Sequence, residues 1–418
     1  MISRGEKGEQ GAELIGFEEA WELVLHHTKP MESEEVSLED APGRTLSRRV
    51  SARADSPSAD VSLKDGYAVR SLDTAQASKQ RPARLRVSGS RFAGERGEAK
   101  TPPGACVKIT SGAILPEGAD AVVAIEYCTQ TPEGIQIPDT VSPGLNVLAR
   151  GTDIAVAATL GEPGDWLSPG RVGWLAAAGL DRVPVVRLPA VSLVATGDEV
   201  VAPGTPLKPG QLYASNLVTL SAWLGAFGIG TAMKIVPDRR EEIERGVPGA
   251  FEGQDVLLTS GGAWGSERDL VVDVLEALGW QRVFHRVRIG PGKAVGFGLL
   301  GGRPVFCLPG GPPSNEMAFL QLALPGILRK AGWRRPPFPS VNARLTEPVQ
   351  GREIDWTQFM RGKLSYGRDG RFQVTPYRPT SRLESMALAD CLFAVPEGVE
   401  RLEAEHWVSV QVLTQLPH

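Results

Sequence analysis

Residues 255–278, DVLLTSGGAWGSERDLVVDVLEAL, decide the fold class. The apolar run DVLLT reads as a buried strand ending in Ser260-Gly261-Gly262, and the apolar spacing over 269–278 predicts a helix. Two glycines at a strand's end let backbone N–H groups approach a ligand without side-chain obstruction. The helix N-terminus beyond them adds the positive end of a dipole. That combination suits an anion, above all a phosphate. The grammar recurs downstream: residues 303–308 (RPVFCL) read as a strand, Pro309-Gly310-Gly311-Pro312-Pro313 as a turn, and Ser314 as the N-cap of a helix over 315–324. A third strand, 191–195, runs into Thr196-Gly197-Asp198-Glu199. Strands that deliver glycine and polar residues at their C-terminal ends predict an open α/β sheet with a ligand crevice there.

Around this stretch the chain is long, with 418 residues, too many for one core, so two to four domains are expected. Net charge is −4, which argues against a nucleic-acid partner. No apolar run approaches the ~20 residues of a membrane span, and the polar start MISRGEKGEQGAE lacks the apolar core of a signal peptide. The four cysteines, Cys106, Cys128, Cys307 and Cys391, stand far apart and form no CxxC, as expected of free thiols in a reducing compartment. A cytoplasmic location follows as the expectation.

Texture changes along the chain. Residues 17–27 (FEEAWELVLHH) have helical spacing, and 39–50 read as a connection. From 57 to 146, short β-like runs alternate with Gly/Pro turns, the mark of a β-rich module. Ser168-Pro169 opens a helix that Gly179 ends. Residues 185–328 alternate strands and helices, which predicts a parallel sheet with right-handed crossovers. Residues 334–340 (RRPPFPS) read as a linker, and from 341 onward short strands return as a small β domain.

Some motifs are excluded. Gly296-Phe297-Gly298-Leu299-Leu300-Gly301 matches GxGxxG, but it leads into a strand rather than a helix and reads as a hairpin. There is no P-loop, HExxH or GxSxG, and five scattered histidines offer no metal cluster. The carboxylates near turns say more. Asp65, Asp198, Glu199, Asp238 and Asp269 each suit a turn or cap taken singly. Yet Glu199, Asp238 and Asp269 all fall near strand ends of one predicted sheet. Acidic groups beside Gly-rich anion turns fit Mg²⁺ handling with a phosphorylated ligand. Lys293, in Gly290-Pro291-Gly292-Lys293, is either a neutralising cation for that ligand or a solvated lysine after a tight turn.

These residues also occur in a known order. Asp65-Gly66-Tyr67-Ala68-Val69, Ile109-Thr110-Ser111-Gly112-Ala113, Thr196-Gly197-Asp198-Glu199, Thr259-Ser260-Gly261-Gly262, Pro291-Gly292-Lys293 and Leu308-Pro309-Gly310-Gly311-Pro312 follow one another as in the molybdopterin molybdotransferases. The chain resembles that family, which includes bacterial MoeA and the C-terminal domain of gephyrin, as a divergent member, over about residues 14–415.

The resemblance implies a multidomain α/β plus β fold. An elongated, partly helical dimerisation domain would take residues 14–56 and 147–184, and a β-rich insertion 57–146. A three-layer molybdopterin-binding α/β domain would take 185–333, and a small β-barrel-like domain 341–418. It implies insertion of molybdate into adenylated molybdopterin with release of AMP and use of Mg²⁺. It implies a homodimer whose active site joins the α/β domain of one subunit to the β-rich module of the other. Molybdopterin adenylyltransferase and molybdoenzymes are the implied partners. Carried over by position, Asp65, Ser111, Glu199 and Asp269 are the catalytic candidates, and Glu199, Asp238 and Asp269 the metal candidates. Thr196, Gly197, Asp198, Ser260, Gly261, Gly262, Lys293, Pro309, Gly310, Gly311 and Ser314 would bind the ligand.

Several positions differ from the family pattern. Lys64 replaces Met, Leu148 and Gly290 replace basic residues, Gly311 replaces Asn, and Ala263-Trp264 follows the second glycine turn. Ser111 stands for Thr, and Ala214 precedes Asn216 where the pattern has Asp after Tyr. Trp264 suits either a core position or a stacking surface for the pterin. The alternative function is a non-catalytic paralogue that binds molybdopterin or a nucleotide as carrier or regulator.

Overall fold

The computed structural model describes residues 14–95, 97–261, 270–378 and 380–414. They form two compact units, residues 35–185 and the chain on either side of them. No helix among the described residues is long and apolar enough to cross a membrane.

In the unit 35–185, a six-stranded sheet runs in the order Ala121–Ala124, Gly66–Val69, Ala105–Ile109, Ala83–Arg91, Gly134–Ile137, Thr129–Thr131. The strand Gly66–Val69 is buried throughout and pairs antiparallel with both neighbours. Only glycine fits at its first position: a Cβ on Gly66 would lie 2.0 Å from the Val123 carbonyl oxygen. A second core in this unit gathers Leu46, Leu160, Leu167, Leu175 and Val183. It carries the helix Pro169–Ala177, capped by Ser168, whose Oγ accepts from the Arg171 N–H at 3.2 Å.

The other unit holds an α/β sheet in the order Thr231–Val236, Val191–Thr196, Val256–Ser260, Arg303–Leu308, Gly296–Leu300, Gln281–His285. Val191–Thr196 and Val256–Ser260 are buried at every position. Helices cover both faces of the sheet, so these strands are mainly apolar and bury even Ser192, Thr196, Thr259 and Ser260. Alternate residues feed opposite cores. Leu193, Leu258 and Phe306 pack with Leu217, Leu220 and Ile327 on one face. Val194, Leu257 and Val305 pack with Ile243, Val247, Val271 and Leu275 on the other. This is a three-layer α/β arrangement.

The sheet differs from the all-parallel expectation. Gln281–His285 and Gly296–Leu300 pair antiparallel, and Gly296–Leu300 pairs antiparallel with Arg303–Leu308. The cause is the tight Gly301-Gly302 hairpin, both residues at positive φ, which leaves no room for a crossover helix. The helix after the third glycine turn also differs. It begins at Pro312 with Gly311 as N-cap, so Ser314 lies in its first turn and is no cap. Proline at the first helical position is pre-set for a helix and needs no N–H there. The helix spans Pro312–Ala318, passes through a π-helical turn over Phe319–Ala323, and resumes as Leu324–Lys330. The helix expected over 269–278 is described from Leu270 to Ala277.

Beyond residue 340, strands Thr357–Tyr366, Phe372–Pro376, Ser340–Leu345, Trp407–Val412 and Cys391–Val395 pair in that order. Pairing of Thr357–Tyr366 with Cys391–Val395 closes them into a five-stranded barrel. Val374, Leu345, Phe393 and Val410 fill it.

Candidate functional site

The α/β sheet places the glycine turns side by side because their strands are neighbours: Val191–Thr196 pairs with Val256–Ser260, which pairs with Arg303–Leu308. The Gly261 N–H donates to the Leu308 carbonyl at 3.2 Å. A Cβ on Gly310 would stand 3.6 Å from the Gly261 Cα, so the two turns touch backbone to backbone. A Cβ on Gly261 would strike the Thr196 carbonyl oxygen at 2.7 Å. The Thr196 hydroxyl beneath it is buried without a hydrogen-bond partner among the described residues.

The acidic residues follow the same strand ends. Gly197 has φ +149°, and a Cβ there would sit 2.7 Å from the Glu199 carboxylate. Glycine therefore allows Glu199 to fold back over the turn. Asp198 Oδ1 accepts from the Asp238 backbone N–H at 3.3 Å, joining the ends of Val191–Thr196 and Thr231–Val236. Asp269, the third metal candidate, lies outside the described residues, as do Gly262 and Trp264. Carboxylate oxygens are hard donors of the kind Mg²⁺ takes. Among the described residues no three His, Cys, Asp or Glu side chains come together as a self-sufficient metal cage.

Lys293 follows a loop that packs on the helix after the third glycine turn. A Cβ on Gly292 would stand 3.5 Å from the Ser314 carbonyl oxygen and from the Ala318 Cβ, so the Pro291-Gly292-Lys293 loop packs on the helix Pro312–Ala318. The Lys293 ammonium lies 5.3 Å from the Trp356 ring centroid, a cation–π contact. Gly290 pairs with the strand Thr357–Tyr366, and a side chain there would point at Gln358 and Trp356. Behind the helix, Glu316 forms a buried ion pair with Arg361 of the barrel and accepts from the Trp223 indole N–H at 2.9 Å. That pair holds the helix to the barrel.

Sequence reasoning gave no role to two amides. Asn216 Nδ2 donates to Ser260 Oγ at 3.0 Å and to the Gly310 carbonyl at 2.9 Å. Asn315 Nδ2 donates to Ser260 Oγ at 3.0 Å and to the Pro309 carbonyl at 2.8 Å. They tie the second and third turns together. The only local signal was a buried-type helix face that opens on Asn315 and Glu316, polar groups that demand partners.

In the unit 35–185, Asp65 precedes the strand Gly66–Val69, and Ser111 follows Ala105–Ile109. The Gly66–Ile109 register sets their loops together. The Ser111 backbone N–H donates to Asp65 Oδ1 at 2.7 Å, and both residues are exposed. Leu148 pairs with Val61 in a short antiparallel ladder of this unit.

Three family models match successive parts of the chain: the MoeA N-terminal region (domains I and II) over residues 15–179, a probable molybdopterin binding domain over 192–329, and the MoeA C-terminal region (domain IV) over 342–413. A molybdopterin molybdenumtransferase of Haemophilus influenzae is 30% identical over 93% of this chain and 95% of its own length. Molybdopterin molybdenumtransferase 2 of Mycobacterium tuberculosis is 31% identical over 91% of the chain and 95% of its own length. The crystal structure of the molybdopterin biosynthesis MoeA protein from Pyrococcus horikosii superposes with a TM-score of 0.84 at 33% identity, covering 96% of this chain and 100% of that one. With the strand-end turns, the barrel and these relatives in agreement along its length, the chain belongs to the molybdopterin molybdenumtransferase family.

Proposed function

We propose that this protein inserts molybdate into adenylated molybdopterin and releases AMP, as a cytoplasmic homodimer that needs Mg²⁺. The observation that carries this reading is the contact between the glycine turns at the ends of three neighbouring strands. The Pro309-Gly310-Gly311 turn would offer the Gly310 and Gly311 N–H groups to phosphate oxygens of the ligand, since the Gly197 and Gly261 N–H groups donate to the Val236 and Leu308 carbonyls. Lys293 supplies a cation beside the helix that follows the third turn. Glu199 and Asp238, with Asp269, are the residues that would hold Mg²⁺. The ion would neutralise phosphate charge as AMP departs. Asp65 has Oδ1 held by the Ser111 N–H, which leaves Oδ2 to take a proton at the reacting centre. The family points to molybdopterin adenylyltransferase as the source of the substrate and to molybdoenzymes as its destination.

The test is AMP release from adenylated molybdopterin with Mg²⁺, with and without molybdate. Release that depends on molybdate supports the reading. Tight binding of adenylated molybdopterin with no release under any metal would replace it with a carrier role. Light scattering at micromolar concentration is expected to report a dimer, and a monomer would sink that part.

A further inference from the structure

We propose that Asn216 and Asn315 are positioning residues that make the Ser260 hydroxyl an obligate hydrogen-bond donor to an anionic oxygen of the ligand. Two backbone carbonyls orient both amides. Gly310 and Pro309 carbonyl oxygens can only accept, and they stand 2.9 and 2.8 Å from Asn216 Nδ2 and Asn315 Nδ2. Turning either amide over would set oxygen against oxygen, so both present their NH₂ groups there. Each NH₂ carries a second hydrogen, and each points it at Ser260 Oγ, 3.0 Å away in both cases. A hydroxyl oxygen has two lone pairs and one proton. Two N–H donors occupy both lone pairs, so the Ser260 proton must be given to a third partner.

Among the described residues none takes it: Ser260 is 5% exposed, and its hydroxyl only accepts. A buried donor left without an acceptor is destabilising. A ligand oxygen that accepts from Ser260 relieves that cost. The polarity also selects the ligand. A group that only accepts, such as a phosphate oxygen, is bound, while one that only donates meets a proton. The amides thus act at a distance from the ligand: they touch Ser260 and the turn carbonyls, and Ser260 touches the ligand. The nature of that ligand rests on the function proposed above, whereas the direction of the proton does not.

Two measurements separate these. A neutron structure of the ligand-free, deuterium-exchanged protein locates the Ser260 hydroxyl deuteron directly. It is expected to point away from both amides; a deuteron directed at an amide oxygen, or bonded to a carbonyl of residues 262–269, overturns the proposal. Separately, titration calorimetry with adenylated molybdopterin compares the wild type with Ser260→Ala, Asn216→Ala and the double variant. Ser260→Ala is expected to weaken binding on the order of tenfold to a hundredfold. Asn216→Ala is expected to reproduce most of that loss, and to add almost nothing once Ser260 is alanine. Equal losses from Asn216→Ala in both backgrounds mean a merely structural amide and overturn the positioning role. A wild type that shows the free deuteron but does not bind adenylated molybdopterin removes the functional reading and leaves the polarity of Ser260 supported.

Discussion

The backbone N–H of Ser111 donates to Asp65 Oδ1 at 2.7 Å across 46 residues of sequence, at the open end of an antiparallel strand pair. This fixes one carboxylate oxygen and leaves its twin at an exposed position. Asp65→Asn retains an oxygen for the Ser111 N–H and creates no cavity. It is expected to change stability by no more than about 0.5 kcal/mol, yet to cut AMP release by about a hundredfold or more. A melting curve and an AMP assay on the same preparation check both. A large drop in melting temperature would make Asp65 a structural residue, and full activity would remove it from the chemistry.

The Glu316–Arg361 pair is expected to be worth most when only one partner is removed. Its side chains are 4% and 8% exposed, and Glu316 also accepts from Trp223. Arg361→Met leaves a buried carboxylate without its counter-charge and should cost about 3–5 kcal/mol in urea unfolding. The double change Glu316→Leu with Arg361→Met should recover much of that loss, since an apolar pair avoids the desolvation penalty. Failure of the double variant to recover would mean that the Trp223 bond dominates.

Acid should weaken this protein partly through Asp255. Burial opposes ionisation of its carboxyl. Two N–H groups of Arg187, at 2.8 and 2.9 Å, and the Ala190 N–H at 2.8 Å prevail and hold it below its ordinary value of 3.8. The folded-state value is lower than the unfolded one. The stabilisation is therefore complete above about pH 4 and is lost as pH falls through the folded-state value. Asp255→Asn should lower stability at pH 7 and flatten the decline of stability between pH 4 and 2. Urea melts across that range would detect the effect, and identical acid limbs in both proteins would refute it.

The cysteines should be chemically silent in the native protein. Burial pushes the thiols of Cys106 and Cys391 up to about 12 and that of Cys128 to about 11. Cys307 is fully buried in the α/β core. The thiolate is the reactive form, so an aromatic disulfide reagent at pH 7.5 is expected to modify all four only after guanidinium is added. Rapid native labelling at one site would show that its module opens.

Much of the architecture was legible in the residues themselves. Mainly apolar runs marked the strands Val191–Thr196 and Val256–Ser260 because both faces of those strands are covered. Ser168 before Pro169 announced a helix start that the Arg171 N–H completes. The glycine run at 296–301 was legible as a hairpin because a strand, not a helix, follows it. The start of the helix at Pro312 was misread: Ser314 resembles a cap, but proline with its φ already set outcompetes a side-chain hydrogen bond two residues later.

The sequence alone determined which segments form strands, where the glycine turns fall and which carboxylates follow them, because periodicity, propensity and turn chemistry act over a few residues. Tertiary structure alone decided which groups meet. Asn216 and Asn315 reach Ser260 from 44 and 55 residues away, and Glu316 finds Arg361 at a separation of 45. No local pattern encodes such pairs. They arise when burial strips water from polar groups, which must then find partners in whatever the fold has brought within 3 Å or so.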